Sequence, residues 1–223
     1  GQLMAPYGNL SFEDAYDAFK EQVIIGAKAG ADLILIETMS DIYEAKAAIL
    51  AAKENSNLPV ICTMTFQENG RTLTGTDPLT MVNVLQNLGL FALGLNCSLG
   101  PKEMIPLVSE ILKYATIPVM VQPNAGLPKL IDDQTVFDIS PQDFSGYATE
   151  MATEGVAILG GFCGTAPEHI IALKKSLQDL KSLKPKGKTL TAASSSTKTE
   201  VLGKAVKIIG ERINPTGKRL LKA

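Results

Sequence analysis

Five times along this chain a helix-like stretch stops at a glycine or proline and a short, unbroken apolar run follows. Gly30 precedes Leu33-Ile34-Leu35-Ile36, Gly89 precedes Ala92-Leu93-Gly94-Leu95, and Gly155 precedes Val156-Ala157-Ile158-Leu159. Pro59-Val60-Ile61-Cys62 and Pro118-Val119-Met120-Val121 open on proline instead. Runs that are continuous, not alternating, belong to strands covered on both faces. They recur roughly every 31 residues, the length of one strand-helix unit. Strands alternating with helices make a parallel sheet with right-handed crossovers. The pattern predicts strands near residues 33, 60, 93, 118 and 156 and helices over 11–29, 41–54, 78–88, 101–115, 141–154 and 166–181. Ser11 is placed to cap the first helix, whose Ala15, Phe19, Val23 and Ala27 share one face. Asp77-Pro78 and Ser140-Pro141 read as cap-plus-proline helix starts.

The periodicity fails near Leu183. Lys184 to Glu200 is rich in Lys, Ser and Thr, and residues 184–204 read as a flexible linker. Ala205-Val206-Lys207-Ile208-Ile209-Gly210 then resembles the first strand of another unit.

A net charge of −2 and 45% hydrophobic residues exclude an electrostatic case for nucleic acid or an anionic membrane as partner. No apolar run approaches the roughly 18 residues of a membrane span. With three cysteines and no signal-peptide pattern at Gly1, a cytoplasmic protein with reduced thiols is expected.

Chemistry in parallel strand-helix folds gathers at the carboxyl ends of the strands. The polar residues there are Glu37, Thr65, Asn96, Cys97, Asn124 and Cys163. Cys97 and Cys163 are too far apart in sequence for their spacing alone to signal zinc, and two buried structural cysteines is the other reading. Glu37 follows four apolar residues, and a buried carboxylate there needs a backbone donor or a cationic ligand group. Cys62 lies within a strand and reads as a core thiol. The single histidine, His169, falls in the first turn of a helix opened by Thr165 as cap and Glu168 at the third position, and reads as structural. Gly160-Gly161 fits either close packing or close approach of the backbone to a ligand.

Five motifs in order make the chain recognisable: Leu35-Ile36-Glu37-Thr38-Met39-Ser40-Asp41, Thr72-Leu73-Thr74-Gly75-Thr76-Asp77-Pro78, Gly94-Leu95-Asn96-Cys97-Ser98-Leu99-Gly100-Pro101, Gln122-Pro123-Asn124-Ala125-Gly126 and Gly160-Gly161-Phe162-Cys163-Gly164-Thr165. They resemble the homocysteine S-methyltransferase domain of cobalamin-dependent methionine synthases. Ile209-Gly210-Glu211-Arg212-Ile213-Asn214-Pro215-Thr216-Gly217 resembles the opening of the pterin-binding, methyltetrahydrofolate domain that follows in that family.

The resemblance implies an α/β fold of the (βα)8 TIM-barrel kind, with about five of eight units present. The three amino-terminal units would then lie in roughly 90 residues upstream. It divides the chain into the carboxyl-terminal part of a homocysteine-binding barrel (1–183), the linker (184–204) and the truncated start of the pterin-binding domain (205–223). It implies methyl transfer from methylcobalamin to the thiol of homocysteine, giving methionine, with methyltetrahydrofolate as ultimate donor and zinc activating the thiolate. Of the family's three cysteine ligands, Cys97 and Cys163 match two and Phe162 occupies the third position. Asn124 matches an asparagine that can complete the zinc shell, and Glu37 matches the glutamate that holds the amino group of homocysteine. No catalytic side chain is implied beyond the metal site. The implied partners are homocysteine and the cobalamin-binding domain of the parent chain, and the fragment alone is expected to be inactive. Two rival readings stand beside this one. One is a zinc-free, diverged barrel used for docking or regulation; the other is a methyltransferase acting on another thiol or with another methyl donor.

Overall fold

The computed structural model describes residues 3–131, 134–203 and 205–206. Its centre is a parallel five-stranded sheet. In chain order, α1 (Phe12–Lys28) precedes β1 (Ile34–Met39), α2 (Ile42–Asn55), β2 (Val60–Met64), α3 (Pro78–Leu85), β3 (Ala92–Asn96), α4 (Pro101–Leu112) and β4 (Val119–Gln122). A small hairpin follows, β5 (Lys129–Ile131) with β6 (Gln134–Val136). Then come α5 (Pro141–Glu154), β7 (Ile158–Leu159), α6 (Pro167–Leu177) and a second hairpin of β8 (Ala192–Ser194) and β9 (Thr199–Val201). The sheet order is β1-β2-β3-β4-β7, every neighbouring pair parallel.

The two faces of the sheet are covered differently. Val60, Cys62, Met64, Leu93, Leu95, Val119 and Val121 pack with side chains from α1 to α5 in one large apolar cluster. Leu35, Ile61, Ala92, Met120 and Ile158 point the other way and form a cluster made of strand residues alone. A doubly wound sheet carries helices on both faces; here, among the described residues, they cover one. Gly94, on the strand-only face, meets β4 so closely that an added Cβ would lie 1.7 Å from the Met120 carbonyl oxygen.

The helix starts follow the sequence reading closely. Ser11 Oγ accepts from the Asp14 amide, Asp77 Oδ1 from Thr80, and Ser140 Oγ from Asp143, at 3.0, 2.8 and 3.1 Å. The sixth helix departs from it. Its cap is Ala166, not Thr165. The Thr165 hydroxyl donates to the Phe162 carbonyl at 2.6 Å, and the freed end is closed by His169, whose Nδ1 accepts from the Ala166 amide at 3.1 Å. That bond makes Nε2 the protonated nitrogen, which donates to the Ile139 carbonyl at 3.0 Å. With Phe144 edge-on against its ring, the buried His169 is a structural residue.

Within 184–204, where composition suggested a linker, β8 and β9 pair antiparallel and dock on α3. Thr199 Oγ1 donates to Thr80 Oγ1 at 3.0 Å, Asn83 Nδ2 to Ser194 Oγ at 2.9 Å, and Thr76 Oγ1 to the Ser196 carbonyl at 2.7 Å. Hydroxyls that composition counts as solvating are here bonded to one another. The strand expected over 205–210 lies outside the described residues apart from 205 and 206.

Two glycines separate packing from propensity. Gly94→Ala forces β3 from β4 and should cost upwards of about 3 kcal/mol, the upper end of overpacking penalties. Gly26→Ala, in the last turn of α1 with nothing within 4 Å of the new Cβ, should stabilise by up to about 0.5–1 kcal/mol. Thermal melts of the two variants should move in opposite directions, and a Gly94→Ala melt equal to wild type would refute the strand contact.

Candidate functional site

The strand ends on the strand-only face carry the polar residues. Asn96, fully buried at the end of β3, reaches across β2 to β1. Its Oδ1 accepts from the Thr38 amide at 2.9 Å and the Thr63 hydroxyl at 2.7 Å, and its Nδ2 donates to Thr38 Oγ1 at 2.8 Å. Thr38 needs this clamp. It has φ +63°, a left-handed backbone that a β-branched residue avoids. The pairing of β1 with β2 slips between Ile36 and Met39, so Glu37 and Thr38 form a bulge, which re-aims side chains at a strand end.

Glu37 therefore stands differently from the expectation of a buried carboxylate. It is exposed, and it lines both the groove of about 390 Å³ between α1 and β1 and an adjoining one of about 360 Å³ bordered by Ser40, Asp41 and Thr74. No protein group bonds its carboxylate among the described residues. The bulge turns it outward, so its need for a partner is met by water or a ligand.

The loops after β3, β4 and β7 are tied to one another by main-chain bonds. Cys97 donates its amide to the Gln122 carbonyl, Asn124 to Leu99, Phe162 to Pro123, and Ala125 to Cys163, at 3.2, 3.0, 2.9 and 2.9 Å. Cys97 and Ser98 take left-handed φ values of +65° and +62°. These ties bring Cys97 and Cys163, distant in sequence, close enough for a charge on one thiol to act on the other, with Cys97 half-buried and Cys163 exposed. Partial desolvation, then the neighbouring Cys97 charge, raise the exposed Cys163 thiol above its ordinary pKa. Cys62 is elsewhere: wholly buried in β2, its thiol is pushed up to about 12 by burial alone.

Asn124, in the loop tied to both cysteine loops, is only 3% exposed, and its Oδ1 has no hydrogen-bond partner. An orphaned buried carbonyl oxygen costs about 1–3 kcal/mol, so it points to a partner from outside the protein. The same holds for Gln122 Oε1 at the end of β4, which the sequence reading quoted within a motif but gave no role. Thr65, also expected near the site, is buried and spends its hydroxyl on the Asn96 carbonyl at 3.1 Å. Gly161 serves packing: a Cβ there would fall 2.6 Å from the Thr165 side chain.

Two thiols and one amide oxygen make three protein donors. Catalytic zinc sites use three and leave a position open, so the residues present fit such a metal in number. Phe162 supplies no donor, and among the described residues no three His, Cys, Asp or Glu side chains gather as a ligand cluster. The fit therefore depends on Asn124. No described helix is long and apolar enough to cross a membrane.

Thiol chemistry can check this arrangement. At pH 8 a disulfide reagent should label Cys97 and Cys163 in the folded chain and reach Cys62 only on unfolding, because the thiolate is the reactive form. Three fast-reacting thiols in the folded protein would contradict the placement of Cys62.

Comparison with known proteins extends the site to a family. Residues 1–177 match the family described as homocysteine S-methyltransferase. Methionine synthase of Mycobacterium tuberculosis is 31% identical over 98% of this chain, and that of Mycobacterium leprae 30% over all of it. The chain spans about one-fifth of the length of these relatives, 19% and 20%. The apo crystal structure of the homocysteine methyltransferase MmuM from Escherichia coli superposes with a TM-score of 0.63 at 22% identity, covering 79% of this chain and 61% of that one. Its metallated form superposes at 0.60 with 22% identity, over 75% and 52%. At that identity the solved structures speak for the fold, and it is the family match over residues 1–177, joined to the two methionine synthases, that makes this chain a member of the homocysteine S-methyltransferase family.

Proposed function

We propose that this chain is the carboxyl-terminal part of a homocysteine-binding (βα)8 barrel in a methionine synthase-type enzyme, which transfers a methyl group to the thiol of homocysteine and yields methionine. The observation that carries the reading is that main-chain bonds tie the loops of Cys97, Asn124 and Cys163 together while the buried Asn124 oxygen is left unpartnered. One-sided helix cover on a parallel sheet supports the barrel. In this reading residues 1–183 belong to the barrel and 205–223 open the pterin-binding domain. Methylcobalamin and methyltetrahydrofolate would act through other domains of the parent, as the motif resemblance implies.

The substrate's difficulty is its thiol, which near pKa 8.5 is largely protonated at neutral pH. Zinc, when bound, supplies the positive charge that keeps such a sulfur deprotonated and nucleophilic. Cys97 and Cys163 would hold that ion as thiolates, and Asn124, a neutral amide, would be the weakest of its three protein donors. Glu37 would receive the substrate ammonium, orienting the sulfur toward the loops after β3 and β7. The thiolate then attacks the methyl carbon, and the bond to the donor breaks with its electron pair staying on the donor.

Phe162 favours the second reading, a metal-free barrel that docks or regulates, because it removes one thiolate from the family set. Metal content separates the two. Phe162→Cys should tighten zinc binding by more than about tenfold, since even outer-shell partners act on that scale. Wild-type protein that takes up no zinc, with the variant taking up none either, would favour the metal-free reading. For Glu37, the exposed carboxylate should contribute only about 0.2–1 kcal/mol to homocysteine binding in this chain. In an intact parent whose barrel closes over it, Glu37→Ala should cost about 2–5 kcal/mol, the scale of a desolvated pair. Calorimetry on both proteins checks the difference; no loss in the parent would remove Glu37 from the substrate site.

A further inference from the structure

Gln122 and Asn96 occupy neighbouring register positions at the ends of β4 and β3 and carry the same amide chemistry. Asn96 has partners on both polar atoms of its amide, with two bonds into Oδ1 and one from Nδ2. Gln122 does not: its Oε1 is buried without a partner, and the other such oxygen among the described residues is that of Asn124, two positions on. Gln122 stands between the two cysteine loops. On one side the Cys97 amide bonds the Gln122 main-chain carbonyl at 3.2 Å. On the other, its Cγ lies 3.2 Å from where a Cβ on Gly160 would project, three residues before Cys163. Glycine at 160 leaves that space to the glutamine.

We propose that Gln122 is a metal ligand of this chain, its Oε1 joining Cys97, Cys163 and Asn124 in a site of two thiolates and two amide oxygens that replaces the sulfur lost at Phe162. The assignment rests on the metal-dependent reading above and deepens it. Glutamine and asparagine carbonyls are established metal donors, harder than thiolate. A neutral amide does not restore the charge of a third cysteine. It does fill a coordination position and relieves the desolvation penalty of an oxygen that the fold leaves unbonded. The site holds four protein donors at rest, two of them weak enough to leave when a substrate thiolate binds.

The test titrates the reduced, full 223-residue chain with Co2+, reading the thiolate-to-cobalt charge-transfer band and the d–d bands, with Zn2+ competition for affinity. Gln122→Leu should weaken both metals at least tenfold and shift the d–d bands while keeping the charge-transfer intensity of two thiolates. Gln122→Glu, which offers a charged oxygen at the same reach, should tighten binding at least tenfold. The opposed directions guard against a leucine variant that merely folds poorly. Both variants at wild-type affinity, with unchanged d–d bands, would overturn the role of Gln122 while leaving the two-thiolate site standing. A wild-type chain without a charge-transfer band, or a band that survives Cys97→Ala, would overturn the metal site and this assignment with it.

Discussion

One side-chain amide sets the geometry of half the site. Asn96 bonds Thr38 on β1 and Thr63 on β2 from its place on β3, so three strand ends are held at one height. Its two bonds to Thr38 keep that residue in a backbone region that costs of order 1–3 kcal/mol. Without the clamp, Thr38 relaxes into ordinary extended backbone and the bulge straightens. Glu37 then turns with the register, because in a strand a slip of one residue exchanges the faces. The direction of the carboxylate thus depends on an amide two strands away.

This dependence explains what local sequence could show and what it could not. The strands and helices were legible because each is written in its own residues: an apolar run, a glycine or proline before it, a cap such as Ser11, Asp77 or Ser140. The bulge was not, because nothing in Leu35-Ile36-Glu37-Thr38 reveals that Asn96 will bond Thr38 from 58 positions away. The continuous apolar run made Glu37 look buried for the same reason. The sixth helix shows a contest within one turn: Thr165 and Glu168 have the right types for a cap, but His169 closes the end and is itself held by Ile139. The β8–β9 hairpin was hidden by distance too, since Thr199 finds Thr80 across 119 positions. Its Ser and Thr content is ambiguous until that partner is known.

The site residues divide along the same line. Cys97, Cys163 and Asn124 are legible from motifs, and in the structure main-chain bonds tie the loops that carry them, with the asparagine oxygen left open. Gln122 stood in one of those motifs, but a glutamine at a strand end is unremarkable by type. Only the contrast with Asn96, satisfied in the neighbouring register position, marks its oxygen as left over. An unpartnered polar group is a property of the packed molecule and has no signature in sequence.

The main-chain ties between the three loops bear on how a residue like Phe162 is tolerated. Leu99 with Asn124, Pro123 with Phe162, and Ala125 with Cys163 are joined through backbone amides and carbonyls. None of these bonds uses the side chain at 162. A cysteine there would add a sulfur to a frame that already exists, and a phenylalanine removes the sulfur without loosening the frame. Ligand identity and ligand placement are therefore separable in this fold: placement belongs to the backbone of three loops, identity to single side chains. Such a frame permits the donor set to drift from sulfur toward oxygen while the loops of Cys97 and Cys163 stay tied, and it leaves two amide oxygens open, on β4 and just beyond it.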